Sequence, residues 1–230
     1  SIGVIKSLEI AKKYKARCLL ASTSAVYGQP PQDGSAIKED YYGLLDFLGP
    51  RACYNEGKRF AETLVMTYRD TYQLNTSIAR LFGTYGPRML QHSGRHIPDF
   101  IRASIDDKDL EISGDDKTFS TFCYVKDVVE GMILLMASEI FDPLNIGSPH
   151  TNPYTEVANT IIALTKSPSK VIYTDSIKYA SQRPTPDISK AKEEINWLPL
   201  IPLEQGLTEA INYFKATAIL HGPRLDQDEE

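Results

Sequence analysis

Cysteine is scarce: three in 230 residues, at Cys18, Cys53 and Cys123. An odd, widely spaced set excludes a disulfide framework, and no CxxC or Cys/His cluster has the spacing of a zinc site. The reading is reduced thiols in a cytoplasmic compartment. His92, His96, His150 and His221 show no metal spacing either. No apolar run is long enough to span a bilayer. The opening SIGVIKSLEIAKKYKA has no signal-peptide layout, since its lysines interleave with apolar residues at helical spacing. Positive charge is not in excess: 25 Lys and Arg face 30 Asp and Glu, for a net charge of -5. Such a balance excludes a field drawing the chain to nucleic acid or an anionic membrane surface, but not the binding of one small phosphorylated ligand.

What remains is globular: 42% hydrophobic and 24% charged, enough for a sizeable core and one or two domains. The opening residues through Tyr14 read as a helix. ARCLLAST is a continuous apolar run, the mark of a strand buried on both faces. Residues 28–50, rich in Gly, Pro, Asp and Tyr, read as a long loop. From Arg51 to about Tyr72 the pattern is helical, with Phe60, Leu64 and Tyr68 at fourfold spacing. TSIARLFGTYGP is a second buried strand running into a Gly-Pro loop. HIPDFIRASI reads as a helix and DLEISG as a strand. CYVKDVVEGMILLMAS is an amphipathic helix with Val125, Val128, Val129, Met132 and Leu135 toward the core. PLNIGS and SKVIYTD are strands. YTEVANTIIALT, DISKAKEEINW and PLEQGLTEAINYFKAT are helices, with Asp187 an N-cap candidate and Trp197 assigned to the core of the later part. The DDK at 115–117 reads as a turn. Helices alternating with short apolar strands predict an α/β fold with a parallel sheet. The strand signals are strong before Gly86 and thin after it, which predicts a Rossmann-type part followed by a smaller mixed α/β part.

In open parallel sheets ligands bind beyond the C-terminal strand ends. Three features sit there: the hydroxyls of Ser22, Thr23 and Ser24 in STSAVYG, the pair Tyr54 and Lys58 in GPRACYNEGKRFAETL, and LFGTYGPR after the next strand. A phenol is a poor base near neutral pH. An ammonium four residues away on a helix shares its face and stabilises the phenolate. Such a phenol can take a hydroxyl proton while a hydride leaves the same carbon, with a Thr or Ser hydroxyl holding the oxygen. A lone YxxxK is more often a solvated helix face. Here two strand-end signals flank it in order.

These segments, with KEDYYG, GRHIPDFI, FCYVKDVVEGMILLM, PLNIGSP and PDISKAKEEINWLP, resemble the extended short-chain dehydrogenase/reductases that act on nucleotide sugars. Within them the chain is most similar to the UDP-glucuronate decarboxylases, over nearly its whole length. The resemblance implies NAD as cofactor and a UDP-sugar as substrate. Tyr54 would remove the C4 hydroxyl proton, Lys58 would bind the nicotinamide ribose, and Thr23 would be their hydroxyl partner. In a glucuronate the resulting 4-ketone lies β to the carboxylate, so CO2 can leave before the hydride returns. Ser22, Phe82, Thr84 and Arg95 join Thr23, Tyr54 and Lys58 near the cofactor. Ser24, Gly83, Arg88, His96, Ile97, Phe100 and Arg183 face the substrate. The resemblance also implies a homodimer through helices 2–14 and 51–72. It gives residues 1–90 as the second part of an NAD-binding domain and 91–220 as the substrate domain, with 121–138 returning to the first. Residues 221–230 read as a disordered acidic tail.

The chain departs from that family at definite places. Its decarboxylases carry a glutamate at the position of Ala25, the related 4,6-dehydratases an Asp-Glu pair at Ser24 and Ala25, and the family's substrate asparagine is Gly83. The phosphate-gripping arginine falls at Ser120, and Arg183 stands one position from a second family arginine. A 4-epimerase, which needs Thr23, Tyr54 and Lys58 but no glutamate, therefore stands beside the decarboxylase. No GxxGxxG turn for the NAD pyrophosphate occurs in these residues. Family members carry roughly a hundred residues before this point, about one mononucleotide-binding half. The sequence thus reads as a fragment, and a non-catalytic remnant is the alternative of another class.

Overall fold

The computed structural model describes residues 2–90, 94–174 and 184–221. In order the elements are α1 (Ile2–Tyr14), β1 (Cys18–Thr23), a 3-10 turn (Ser24–Tyr27), α2 (Ala52–Tyr72), β2 (Thr76–Leu81), β3 (Thr84–Tyr85), α3 (His96–Ile105), β4 (Leu110–Ser113), β5 (Phe119–Thr121), β6 (Cys123–Tyr124), α4 (Val125–Ala137), β7 (Leu144–Ile146), β8 (Thr151–Pro153), α5 (Tyr154–Thr165), β9 (Val171–Thr174), α6 (Ser189–Ile195) and α7 (Leu203–His221). They form two compact units. Of the described residues, the first comprises 2–84, 120–151 and 184–200, the second 85–90, 94–119, 152–174 and 201–221.

The first unit is a parallel sheet in the order β1-β2-β7. Its two faces carry separate cores. Leu8 and Ala11 of α1 and Val65 of α2 pack with Cys18, Leu20 and Ile78 on one face. On the other, Val128 and Leu135 of α4 and Ala191 of α6 pack with Ala79, Leu144, Ile146 and Trp197. The alternation of strand side chains between faces produces this layered arrangement. The buried residues of α2 are Ala61, Glu62 and Val65, whereas Phe60 is 48% exposed. On α4, Val129 is likewise 47% exposed and the buried positions are Asp127, Val128, Gly131 and Leu135. Helical spacing alone does not say which of two adjacent apolar stripes faces the sheet.

Trp197 lies in this first unit rather than in the later part. Its indole lies against Gly131, where an added Cβ would stand 3.0 Å from the ring. Its Nε1 donates to the Asp127 carbonyl at 2.8 Å. Asp187 caps the start of α6 through an Asx bond to the Ser189 amide at 2.8 Å, although Ile188 holds the formal cap position. β1 is half-buried, with Ala21 exposed, rather than covered on both faces.

The second unit pairs β4 with β9 in parallel, Leu110 opposite Val171 through Ser113 opposite Thr174. α3 and α5 pack with this pair, and α7 packs on α3 and α5. Ile97, Phe100, Ile101, Val157, Ile161 and Leu207 fill its core. Asp115 turns the chain after β4 by accepting from the Lys117 amide and the Thr118 hydroxyl.

Candidate active site

β1 ends at Thr23, where the 3-10 turn begins. The Thr23 hydroxyl oxygen accepts from the Ala25 amide at 3.3 Å. Gly28 closes that turn at φ +74, and an added Cβ would meet the Leu44 carbonyl oxygen at 2.1 Å. Only glycine lets the chain at Leu44 lie this close to the end of the turn. α2 starts after Gly49-Pro50, with the Ala52 amide donating to the Gly49 carbonyl. Tyr54 and Lys58, four residues apart, therefore share one face of α2. Tyr54 is 44% exposed, and the Arg51 guanidinium stands 5.6 Å from its ring centre. The Lys58 ammonium donates to the Ala21 carbonyl at 2.8 Å. This bond ties the pair to β1 two residues before Thr23.

The other residues expected at the cofactor have the following surroundings. Ser22 is buried and its hydroxyl donates to the Glu62 carboxylate. Phe82 is buried against Tyr27, ring centres 6.1 Å apart. The Thr84 hydroxyl donates to the Phe82 carbonyl at 3.2 Å. Gly83 sits at φ +28, and an added Cβ would stand 1.8 Å from the Thr121 carbonyl oxygen. No side chain fits there, so the glycine is set by packing within the first unit. Ser24 and Ala25 lie in the 3-10 turn with no acid among them. Ser120 is fully buried.

Arg88, Arg95, His96, Ile97 and Phe100 belong to the second unit. Arg95 caps α3, and Arg88 adopts a left-handed backbone at φ 65. The His96 ring stacks on Tyr154 at 4.0 Å between centroids and meets Phe100 edge-on. Ile97 and Phe100 are core residues. Arg183 lies outside the described residues.

A polar cluster behind Thr23 escaped the sequence reading. Glu62 accepts from Arg80 through both carboxylate oxygens, the closest contact being 2.8 Å. Arg80 also donates to the Tyr27 hydroxyl at 3.0 Å and to the Glu39 carbonyl at 2.8 Å. The Tyr27 hydroxyl donates to Asn145 Oδ1 at 2.6 Å. Burial pushes the Tyr27 phenol up to about 12 despite the guanidinium beside it. Burial alone would lower Arg80, but its bonds to Glu62 and Tyr27 prevail and hold it firmly charged. Two signals stood in the sequence: a glutamate a further four residues along the Tyr54/Lys58 face, and an arginine inside an apolar strand. Among the described residues no group of three His, Cys, Asp or Glu side chains is arranged to hold a metal ion. Burial, with Asp127 nearby, pushes the Cys123 thiol up to about 12, which makes it inert.

A family model described as GDP-mannose 4,6 dehydratase matches residues 1–210. The UDP-glucuronic acid decarboxylase 1 of Danio rerio is 41% identical over 217 residues, covering 93% of this chain and 51% of the relative. That of Xenopus tropicalis is 39% identical over 215 residues, covering 94% and 51%. The chain thus spans about half the length of these relatives. A UDP-glucose 4-epimerase from Thermotoga maritima superposes with a TM-score of 0.86 at 24% identity, covering 94% of this chain and 69% of that one. A UDP-glucuronic acid 4-epimerase from Bacillus cereus, solved with UDP-glucuronic acid and NAD, gives a TM-score of 0.77 at 25% identity, covering 91% and 65%. Both likenesses agree with the Rossmann-type α/β architecture described above.

Proposed function

We propose a function from one premise: this chain belongs to the GDP-mannose 4,6-dehydratase family. Its reaction is NAD-dependent chemistry at C4 of a UDP-sugar, with decarboxylation of UDP-glucuronate to UDP-xylose as the leading assignment. The observation that carries it is Tyr54 and Lys58 on one face of α2, with Lys58 bonded to Ala21 just before Thr23. The relatives named UDP-glucuronic acid decarboxylase support the substrate class.

The residues present fit the nicotinamide-ribose end of the cofactor. An ammonium has three donors, and the bond to Ala21 leaves two for ribose hydroxyls. Bound there, NAD supplies a hydride acceptor. Tyr54 takes the proton of the C4 hydroxyl. Lys58 stabilises the resulting phenolate and orients the ribose. Thr23 has its oxygen engaged by the Ala25 amide and donates its own O–H to the sugar oxygen. A seat for the pyrophosphate needs a Gly-rich turn of backbone donors, and these residues contain none.

A second reading, C4 epimerisation, is favoured by Ala25, which carries no acid or base. Elimination of water is disfavoured for the same reason at Ser24 and Ala25. The full-length polypeptide is to be mixed with UDP-glucuronate and NAD and the sugar protons followed by NMR. A UDP-pentose signal confirms decarboxylation. UDP-galacturonate establishes the epimerase instead, and unchanged substrate sinks both readings for this sugar.

Two copies pair through α1 and α2. Ile2, Ile10 and Tyr14 on α1 and Phe60 and Tyr72 on α2 are exposed apolar residues that such pairing would cover. Three unpaired cysteines, one of them exposed, suit a reducing cytoplasmic compartment. Among the described residues no helix is long and apolar enough to cross a membrane.

A further inference from the structure

Ser22, Arg80 and Asn145 are register partners across β1, β2 and β7, and so form a single rung of the sheet. The rung lies one residue before the strand ends at Thr23, Leu81 and Ile146. Its side chains share the face that α2 covers, because Leu20 and Ile78, two residues earlier on their strands, pack on that side. They are joined without a break: Glu62 to Ser22 and Arg80, Arg80 to Tyr27, Tyr27 to Asn145. Asn145 in turn donates to the carbonyls of Ile37 and Asp187. Glu62 is the only member from α2. It follows Lys58 by four residues and Tyr54 by eight, on the same helix face.

Open space borders this flank of α2. A cavity of about 390 Å³, lined by Tyr27, Tyr41, Glu62, Thr63 and Arg80 among others, lies beside the carboxylate. A helix with empty space along one side can slide or roll into it unless directional bonds prevent it. Two such bonds are present, Lys58 to Ala21 and Glu62 to Ser22, on consecutive residues of β1. The fork between Arg80 and Glu62 fixes the carboxylate in both direction and distance.

We propose that Glu62 is a positioning residue: seated on the Ser22–Arg80–Asn145 rung, it sets the axial and rotational register of α2 and thereby places the Tyr54 hydroxyl against Thr23. The idea rests on Tyr54 being the reacting group, so its test reads placement apart from turnover. In the full-length polypeptide, 3-fluorotyrosine is introduced at position 54 and its 19F resonance followed in wild type, Glu62→Gln and Ser22→Ala. The expected result is a displaced or split resonance in both variants. Turnover falls about 100-fold in Glu62→Gln with KM unchanged, the size of loss that a misplaced reacting group produces. Ser22→Ala removes one hydroxyl and leaves the ion pair, so it reports even if Glu62→Gln does not fold. An unmoved resonance in the folded variants, alongside a lowered melting temperature, overturns the proposal and leaves the rung a stability element only. Absent turnover in the wild type counts against the enzyme reading, while the 19F comparison still decides the placement.

Discussion

Tyr54 and Gly83 show how differently single residues are determined. Tyr54 is legible because its chemistry needs only a partner four residues on, and the helix supplies that spacing locally. In the full-length polypeptide, Tyr54→Phe should lower turnover by about 1,000-fold or more while leaving NAD affinity unchanged, as read by steady-state rates and calorimetry. Gly83 is legible only as a departure, and the structure supplies its cause in the Thr121 carbonyl 1.8 Å from an added Cβ. Restoring the family's side chain with Gly83→Asn should therefore destabilise the protein by about 2–4 kcal/mol, measured as a lowered urea midpoint. A variant as stable as wild type would show that the backbone at 83 can withdraw from Thr121. Tyr27 offers a test by pH. Its phenol rises from 10.0 to about 12 on burial, so the folded state favours the neutral form. That stabilisation is complete below pH about 10 and is lost as pH climbs toward about 12. Tyr27→Phe lacks the ionisation, so the stability gap between wild type and variant should narrow over that window, as read by denaturant titration at each pH.

At the scale of elements the helices and the longer strands followed from periodicity and from Gly and Pro breaks, whereas the two- and three-residue strands β3, β5, β6 and β8 did not. Helical spacing marked α1, α3, α5 and α7, and Gly49-Pro50 marked the start of α2. Facing was less legible. Phe60 and Val129 belong to apolar stripes yet are about half exposed, because each lies at the edge of its stripe while Leu64 and Tyr68 on α2 and Val128 and Leu135 on α4 reach the core. Gly131 explains the case of α4: its bare backbone admits the Trp197 indole, which arrives from more than sixty residues away. A local pattern does not encode so distant a partner. The ion pair between Glu62 and Arg80 was hidden for a related reason. A glutamate on a helix reads as solvent-facing until a strand places a guanidinium beneath it, 2.8 Å away.

For the whole molecule, the prediction concerns assembly. If two copies pair through α1 and α2, sedimentation should give a dimer, and Phe60→Glu should shift it toward monomer without changing the circular dichroism. A wild-type monomer at micromolar concentration would rule the pairing out. The sequence by itself determined the α/β class, the order of the helices and longer strands, the Tyr54/Lys58 pair and the strand-end position of Thr23. Each depends on spacing within a few residues or on apolar runs of one strand's length. Only the tertiary structure decided that Lys58 is anchored to the Ala21 carbonyl, that Gly83 is locked against Thr121, and that Ser22, Arg80 and Asn145 share one rung under Glu62. Those facts depend on strand register and on contacts between residues tens of positions apart, and the free energy that selects them belongs to the packed sheet rather than to any segment of it.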